Sequence, residues 1–314
     1  MSQPLVSILI PSHNAERWLA ETLASALAQT WLRKEVIVVD DGSTDGSLAL
    51  ARSYEQRGVR VITQPKRGAS AARNHAFRES CGDFIQFLDA DDLLSPDKIE
   101  RQMAELAGRP AGMVASCAWG RFTVDPAQAE FVDGTVDRDF KPVDFLVLCG
   151  EGFHMMHPSA WLTPRAVAVR AGPWDELLTL NDDGEYFCRV LLASAGAAFT
   201  PIARSYYRSA LPGSLSRRRD ERSRRSQFRS IELIEKHLRA AEDTPRTRRA
   251  LAGYYQRFLY DFFPFPADLM RAAESRVRAL GGSPLPPPMG PKTATLARLM
   301  GWKAAWRLKH WLYR

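Results

Sequence analysis

The feature that most constrains this chain is an alternation of two periods over its first 110 residues. LVSILI (residues 5–10), EVIVVD (35–40), VRVITQ (59–64) and DFIQFLD (83–89) read as strands. Helical stretches separate them. Trp18, Leu19, Thr22, Leu23, Ala26 and Leu27 recur at helical spacing, residues 47–56 follow a turn with Ser43, Thr44 or Asp45 as cap, and residues 69–79 form a third helix. This order predicts βαβ units, hence a mostly parallel sheet with helices on both faces. The near-continuous apolar run VIVV fits a strand buried on both sides.

Sheets of this kind bind ligands beyond the carboxyl ends of their strands. Every such end here is polar: Ser12-His13-Asn14, Asp40-Asp41, Lys66-Arg67-Gly68 and Asp89-Ala90-Asp91-Asp92. The topology gathers all four along one edge. Carboxylates crowded at Asp89, Asp91 and Asp92 repel one another unless a cation joins them. Hard Mg²⁺ or Mn²⁺ suits such oxygen ligands and commonly shares its sphere with substrate phosphates. Lys66, Arg67 and Arg73 bring positive charge suited to a diphosphate, although Arg73, on the third helix, also reads as a surface ion-pair residue. A carboxylate at Asp40 or Asp41 can accept from a nucleobase imide or ribose hydroxyl, and the His13 imidazole can stack on a base. A second acidic cluster, Asn181-Asp182-Asp183-Gly184-Glu185, opens a helical face formed by Tyr186, Phe187, Val190 and Leu191. His154 and His157 lack a partner ligand at useful spacing and read as packed or hydrogen-bonded histidines.

Several function classes are excluded. No GxGxxG, GxxxxGK[ST] or Gly-x-Ser-x-Gly stands at a strand end, so a Rossmann dinucleotide site, a P-loop and a nucleophile elbow lack support. Cys81, Cys117, Cys149 and Cys188 fit no zinc template and read as buried, reduced thiols. No apolar stretch reaches the ~20 residues that span a bilayer. The N-terminal apolar run lacks a basic leader, so the chain is expected in the cytoplasm.

The formal charge of +7 belongs to one end. Residues 275–314 hold eight Lys/Arg and no acid, and the remainder holds 35 basic against 36 acidic side chains. The Arg-rich stretch 217–229 carries Asp220 and Glu221 and leads into Ile231, Ile234 and Leu238, which reads as a solvated amphipathic helix; nucleic acid is not expected as a partner. The last 23 residues bear Trp302, Trp306 and Trp311 among basic residues. That composition suits a helix lying on an anionic membrane surface, with docking on the chain's own folded domain as the other reading.

The four segments VSILIPSHNAERWLAETLASALAQT, EVIVVDDGSTDGSLALA, RGASAARNHAFRESCGDFIQFLDADD and LNDDGEYFCRV, in this order, resemble the family 2 glycosyltransferases with a GT-A fold. The resemblance is dense over residues 5–105 and moderate over 150–215, and YRSALPGSLSRRR (207–219) resembles the end of such catalytic domains. It implies an inverting, non-processive, metal-dependent transfer of a sugar from a nucleotide diphosphate, most simply a UDP-sugar, to a glycan or lipid-linked acceptor in polysaccharide, lipopolysaccharide or glycolipid assembly. Pro11, Ser12, His13 and Glu16 match the first nucleotide-binding segment, His13 standing where the family often has Tyr. Asp41 matches the base-binding carboxylate with Asp40 beside it, and Arg73 matches a residue near the diphosphate. Gly68 and Ala90 fall in the same donor-binding set. Asp89 and Asp91 match the Asp-x-Asp pair, with Asp91 the direct metal ligand. Asp182-Asp183 matches the family's Glu-Asp pair, whose second member is the general base. The Gln-x-x-Arg-Trp motif of processive synthases is absent. A nucleotidyltransferase and a non-catalytic nucleotide-sugar or glycan-binding scaffold are the alternative readings.

The expected organisation is a catalytic domain over 1–214 (nucleotide-binding half 1–110, acceptor half 111–214), a helical region over 215–280, a Gly/Pro linker over 281–291 and one basic amphipathic helix over 292–314.

Overall fold

A computed structural model describes residues 3–131, 134–209, 220–264 and 267–312. In chain order the strands are β1 (Val6–Ser12), β2 (Lys34–Asp41), β3 (Val59–Gln64), β4 (Phe84–Phe87), β5 (Leu93–Leu94), β6 (Val114–Phe122), β7 (Glu130–Phe131), β8 (Thr163–Pro164) and β9 (Ala197–Arg208). The α-helices are α1 (Glu16–Leu27), α2 (Ser47–Ser53), α3 (Ala69–Glu79), α4 (Lys98–Ala107), α5 (Pro142–Glu151), α6 (Arg165–Ala171), α7 (Asp182–Ala193), α8 (Glu221–Ala241), α9 (Pro245–Phe262), α10 (Ala267–Ala279), α11 (Pro291–Met300) and α12 (Trp302–Leu312).

The main sheet has the order β3-β2-β1-β4-β8, parallel except for β8. Its alternation is visible in the packing. Val6, Ile8 and Ile10 of β1 and Val36 and Val38 of β2 face α1, α2 and α4, whereas Leu9, Ile37 and Val39 face the core shared with α3, α6 and α7. Both faces are therefore covered, which is why these strands are apolar at consecutive positions. A second sheet, β5-β9-β6-β7, adjoins the first through an isolated bridge between Ala115 and Leu162. Its central pair, β6 and β9, is parallel and shifts register between Cys117 and Ala118.

The helices α8, α9 and α10 build a third core from Phe228, Ile231, Tyr255, Phe258, Leu259 and Leu269. This bundle leans on the part of the chain that carries α5. Helices α5 and α9 cross where Gly150 and Gly253 meet, so closely that a Cβ on Gly253 would overlap the Gly150 carbonyl oxygen at 1.8 Å.

Three expectations change. The Ser47 helix ends at Ser53 and tightens into a 3-10 turn over Glu55–Arg57. Cys81 is exposed and Cys149 half-buried, so only Cys117 and Cys188 are buried thiols; all four are free. The tail is two helices rather than one, divided at Gly301, whose φ of +81° suits glycine. Residues 210–219, with the end of the YRSALPGSLSRRR motif and Arg217 to Arg219, lie outside the described residues.

Candidate active site

The four polar strand ends do meet at one edge. Ser12 of β1 pairs in register with Asp40 of β2, and Asp40 and Asp41 pair with Thr63 and Gln64 of β3. Asp41 is saturated: its carboxylate accepts from Gln64 Nε2 at 2.7 Å, Arg67 N at 2.8 Å and Gly68 N at 2.7 Å. It therefore holds the loop that leads into α3. Gly68 (φ +103°) permits that approach. Gly42 (φ +67°) turns the chain under the loop, and a Cβ there would stand 2.9 Å from Lys66 N.

On the other side of this floor, α1 and the turn after β2 exchange bonds. Glu16 N donates to Asp45, and Gly46 N donates to Glu16 Oε2 at 2.9 Å. Asp45 in turn accepts from Ser47 N, the first residue of α2, at 3.0 Å. Lys66 Nζ reaches His13 Nε2 at 2.8 Å, while Arg67 pairs with Glu176. Pro11 is the last apolar residue of β1 before this polar rim.

Some buried polar atoms at this edge have no partner. Among the described residues they include Ser12 Oγ, His13 Nδ1, Asp40 Oδ1 and Arg73 Nε. Each such atom costs about 1–3 kcal/mol if nothing fills its hydrogen bond.

Arg73 is the centre of the site, and the surface ion-pair reading of it fails. It is 5% exposed. Its guanidinium binds Asp89 Oδ1 at 2.7 Å and Asp182 Oδ2 at 2.8 Å. One cation thus ties the Asp-x-Asp pair at the end of β4 to the acidic pair that opens α7. Trp174 supports it, its ring 4.4 Å from the guanidinium carbon and stacked on Tyr186 at 4.0 Å. Trp174 is fixed in turn by reciprocal bonds with Asn74, the residue after Arg73 on α3.

The four nearby carboxylates have different environments. Asp89 and Asp182 share the single positive charge of Arg73. Burial, together with Asp92 and Asp89, pushes the Asp91 carboxyl well above the ordinary range. Burial and then Asp182 push Asp183 up to about 6. Ala90, between Asp89 and Asp91, is buried and gives its carbonyl to Thr22. Among the described residues no three His, Cys, Asp or Glu side chains converge as a complete metal cage.

Two further groups have partners that the sequence does not indicate. His157, expected to be packed or hydrogen-bonded, is both, and it lies beneath the acidic loop: it meets Asp92 at 3.1 Å and Ser205 at 3.0 Å, and burial lowers it to about 3, so it is neutral. Asn181, with φ +58°, donates to Ser230 of α8 at 2.7 Å, so the helical bundle braces the entry to α7. Neither contact has a local signature, because each partner comes from a remote element.

The family model for glycosyl transferase family 2 matches residues 7–163, half of the chain. The chain belongs to glycosyl transferase family 2. It is 36% identical over 105 residues to the UDP-Glc:alpha-D-GlcNAc-diphosphoundecaprenol beta-1,3-glucosyltransferase WfgD of Escherichia coli, a match covering 33% of this chain and 42% of that one. It is 39% identical over 195 residues to an uncharacterized glycosyltransferase of Rickettsia typhi, covering 61% and 60%. The chain spans about half the length of the curated relatives it matches. Among solved structures, TarS 1–349 of S. aureus aligns with a TM-score of 0.68 at 17% identity, over 97% of this chain and 92% of that one. The mannosyltransferase PcManGT from Pyrobaculum calidifontis, solved with GDP-Man and Mn²⁺, aligns with a TM-score of 0.56 at 19% identity, over 97% and 85%. These likenesses establish the GT-A architecture of a family 2 glycosyltransferase.

Proposed function

We propose that this family 2 chain is an inverting glycosyltransferase that moves a sugar from a nucleotide diphosphate to an acceptor hydroxyl. The observation that carries the reading is Arg73, which joins the Asp89 and Asp182 motifs into one site by ion pairs that Asp91 and Asp183 do not share.

The two remaining carboxylates divide the work. Asp91, with Asp89 beside it, would hold Mn²⁺ or Mg²⁺, hard ions suited to carboxylate oxygens. When bound, such an ion neutralises charge on the departing diphosphate. Asp183, with a pKa of about 6, takes the proton of the acceptor hydroxyl near neutral pH. The acceptor oxygen then bonds to the anomeric carbon from the face opposite the diphosphate. The old carbon–oxygen bond breaks with its electron pair leaving on the nucleotide, and the configuration inverts. Arg73 stands where it can meet the diphosphate while keeping the two motifs in register.

The unpartnered Ser12 Oγ, His13 Nδ1 and Asp40 Oδ1 support a nucleoside at the ends of β1 and β2. Asp41 shapes the floor of that pocket, and Asp40 Oδ1 is an acceptor left free. The UDP-Glc in the name of the E. coli relative, and the UDP-GlcNAc bound to TarS, favour a UDP-sugar. The diphosphoundecaprenol in the name of the E. coli relative supports a glycan or lipid-linked acceptor, in polysaccharide or glycolipid assembly.

The tail enters this reading as an anionic-membrane contact through 292–314, peripheral on the cytoplasmic face. Trp302 packs on Tyr260 and Phe263, and Trp306 on Phe263, so α12 docks on the chain itself. Leu296, Leu299, Met300 and Trp311 remain exposed, Leu299 by 81%, in an acid-free segment. Apolar side chains rimmed by Lys and Arg suit anionic lipid.

Thermal melting with Mn²⁺ and a panel of UDP- and GDP-sugars tests the donor reading. The matching donor should raise Tm, because it binds only the folded state. No shift with any nucleotide sugar would count against it.

A further inference from the structure

The contacts made by Arg208, at the end of β9, exceed what packing requires. Its side chain is closed to solvent. Nε donates to the Asp91 carbonyl at 2.9 Å, Nη1 to the Thr123 carbonyl at 3.1 Å, and Nη2 to Glu21 Oε2 at 2.6 Å. The guanidinium lies between the rings of Trp18 and Phe122, 4.2 and 4.4 Å from their centroids. One planar group thus fastens the peptide of Asp91 to α1 and to the end of β6. The backbone amide of Arg208 also donates to Asp92 Oδ1 at 2.9 Å.

Asp92 completes the attachment. Its other oxygen accepts from His157 Nδ1 and Ser159 Oγ, both at 3.1 Å, and His157 Nε2 accepts from Ser205 on the same strand, β9. Asp92 is fully buried. All three of its bonds point into the protein, so it anchors the loop and offers nothing to a ligand. Lysine at 208 could not reproduce the arrangement. It has no planar face to place between two rings and no fork to reach three acceptors in different directions.

We propose that Arg208 is a positioning residue. It sets the Asp91 backbone, and through it the Asp91 carboxylate, in the place where that carboxylate receives the divalent cation and the donor diphosphate. Asp92 serves as the second anchor of the same loop. The proposal rests on the reading of Asp91 as a metal-binding carboxylate.

The test uses the full chain and Mn²⁺ with UDP, with bound Mn²⁺ read from the loss of the free-ion electron paramagnetic resonance signal. Arg208→Lys should bind Mn²⁺ about 10- to 100-fold more weakly, the usual consequence of losing a group that orients a ligand. Its activity should climb back toward the parent level as Mn²⁺ is raised. Glu21→Gln, at a half-exposed position, frees one arm of the fork and should cost about threefold, the size of one such ion pair. A folded Arg208→Lys with parental Mn²⁺ affinity would overturn the proposal, even if its Tm had dropped. If Arg208→Lys does not fold, parental affinity in Glu21→Gln would overturn it. Absence of Mn²⁺ binding by the parent chain, or parental binding by Asp91→Ala, would instead remove the metal reading beneath it.

Discussion

The strand-end site and the C-terminal tail both concentrate charge, and they handle it in opposite ways. At the strand ends the charges are negative, largely enclosed, and assigned one by one. Arg73 pairs with Asp89 and Asp182, donors from β9 and the 157–159 segment fix Asp92, and Asp91 and Asp183 are left with raised affinities for protons. In the tail the charges are positive, and those among the described residues lie at or near the surface. Lys303 pairs with Glu274 and Arg307 lies over Phe263, while Arg298 is exposed on the outer face of α11. Enclosure makes the first region sensitive to single atoms. Exposure makes the second a sum of small contributions that salt can screen.

The largest effect that would separate the two regions is expected at Arg73. Arg73→Ala leaves two carboxylates uncompensated and should cost about 3–5 kcal/mol of stability in urea unfolding. A loss under about 1 kcal/mol would reduce it to an ordinary surface pair. The next is a pH effect. The folded-state pKa of Asp183 is raised to about 6, so its basic form is lost as pH falls through that value. The kcat/KM for transfer should therefore drop about tenfold per pH unit below it. A profile flat to pH 5 would deny Asp183 the role of base. The smallest concerns the tail. Leu299→Gln with Met300→Gln should lower binding to phosphatidylglycerol vesicles by about fivefold without altering Tm, and 0.5 M salt should weaken the parent chain similarly. Equal binding by parent and variant, or equal binding to neutral vesicles, would rule out the lipid role.

Much of the first region was legible because its determinants are local. The strand at Val59–Gln64 and the helix at Ala69–Glu79 have the bounds their periodicity predicts, since Gly58 and Gly68, both at positive φ, punctuate them. Strand β1 runs on to Ser12 because parallel pairing with Asp40 carries it past its last isoleucine. The convergence of the four polar ends followed from topology alone. What escaped the sequence was choice of partner. Nothing near residue 73 indicates that its guanidinium joins Asp89 to Asp182, nothing near residue 208 indicates Asp91, and nothing near residue 157 indicates Asp92. These pairings depend on how β9 lies against β6 and how α7 lies against α3, which is decided by packing across the whole core. The tail shows the same limit. Its three tryptophans look alike in sequence, yet Trp302 and Trp306 turn toward Phe263 while Trp311 is 74% exposed. Gly301 breaks the helix between the outward-facing Leu299 and the inward-facing Trp302.

The central claim is a division of labour between Asp91 and Asp183. Calorimetric titration of the UDP-sugar donor, with and without Mn²⁺, into Asp91→Ala and Asp183→Asn tests it most directly, with transfer measured on the same samples. The account predicts that Asp91→Ala loses Mn²⁺-dependent donor binding. Asp183→Asn should bind donor as the parent does and transfer no sugar. Donor binding lost in both variants or kept in both, or transfer by Asp183→Asn at the parental rate, would contradict it.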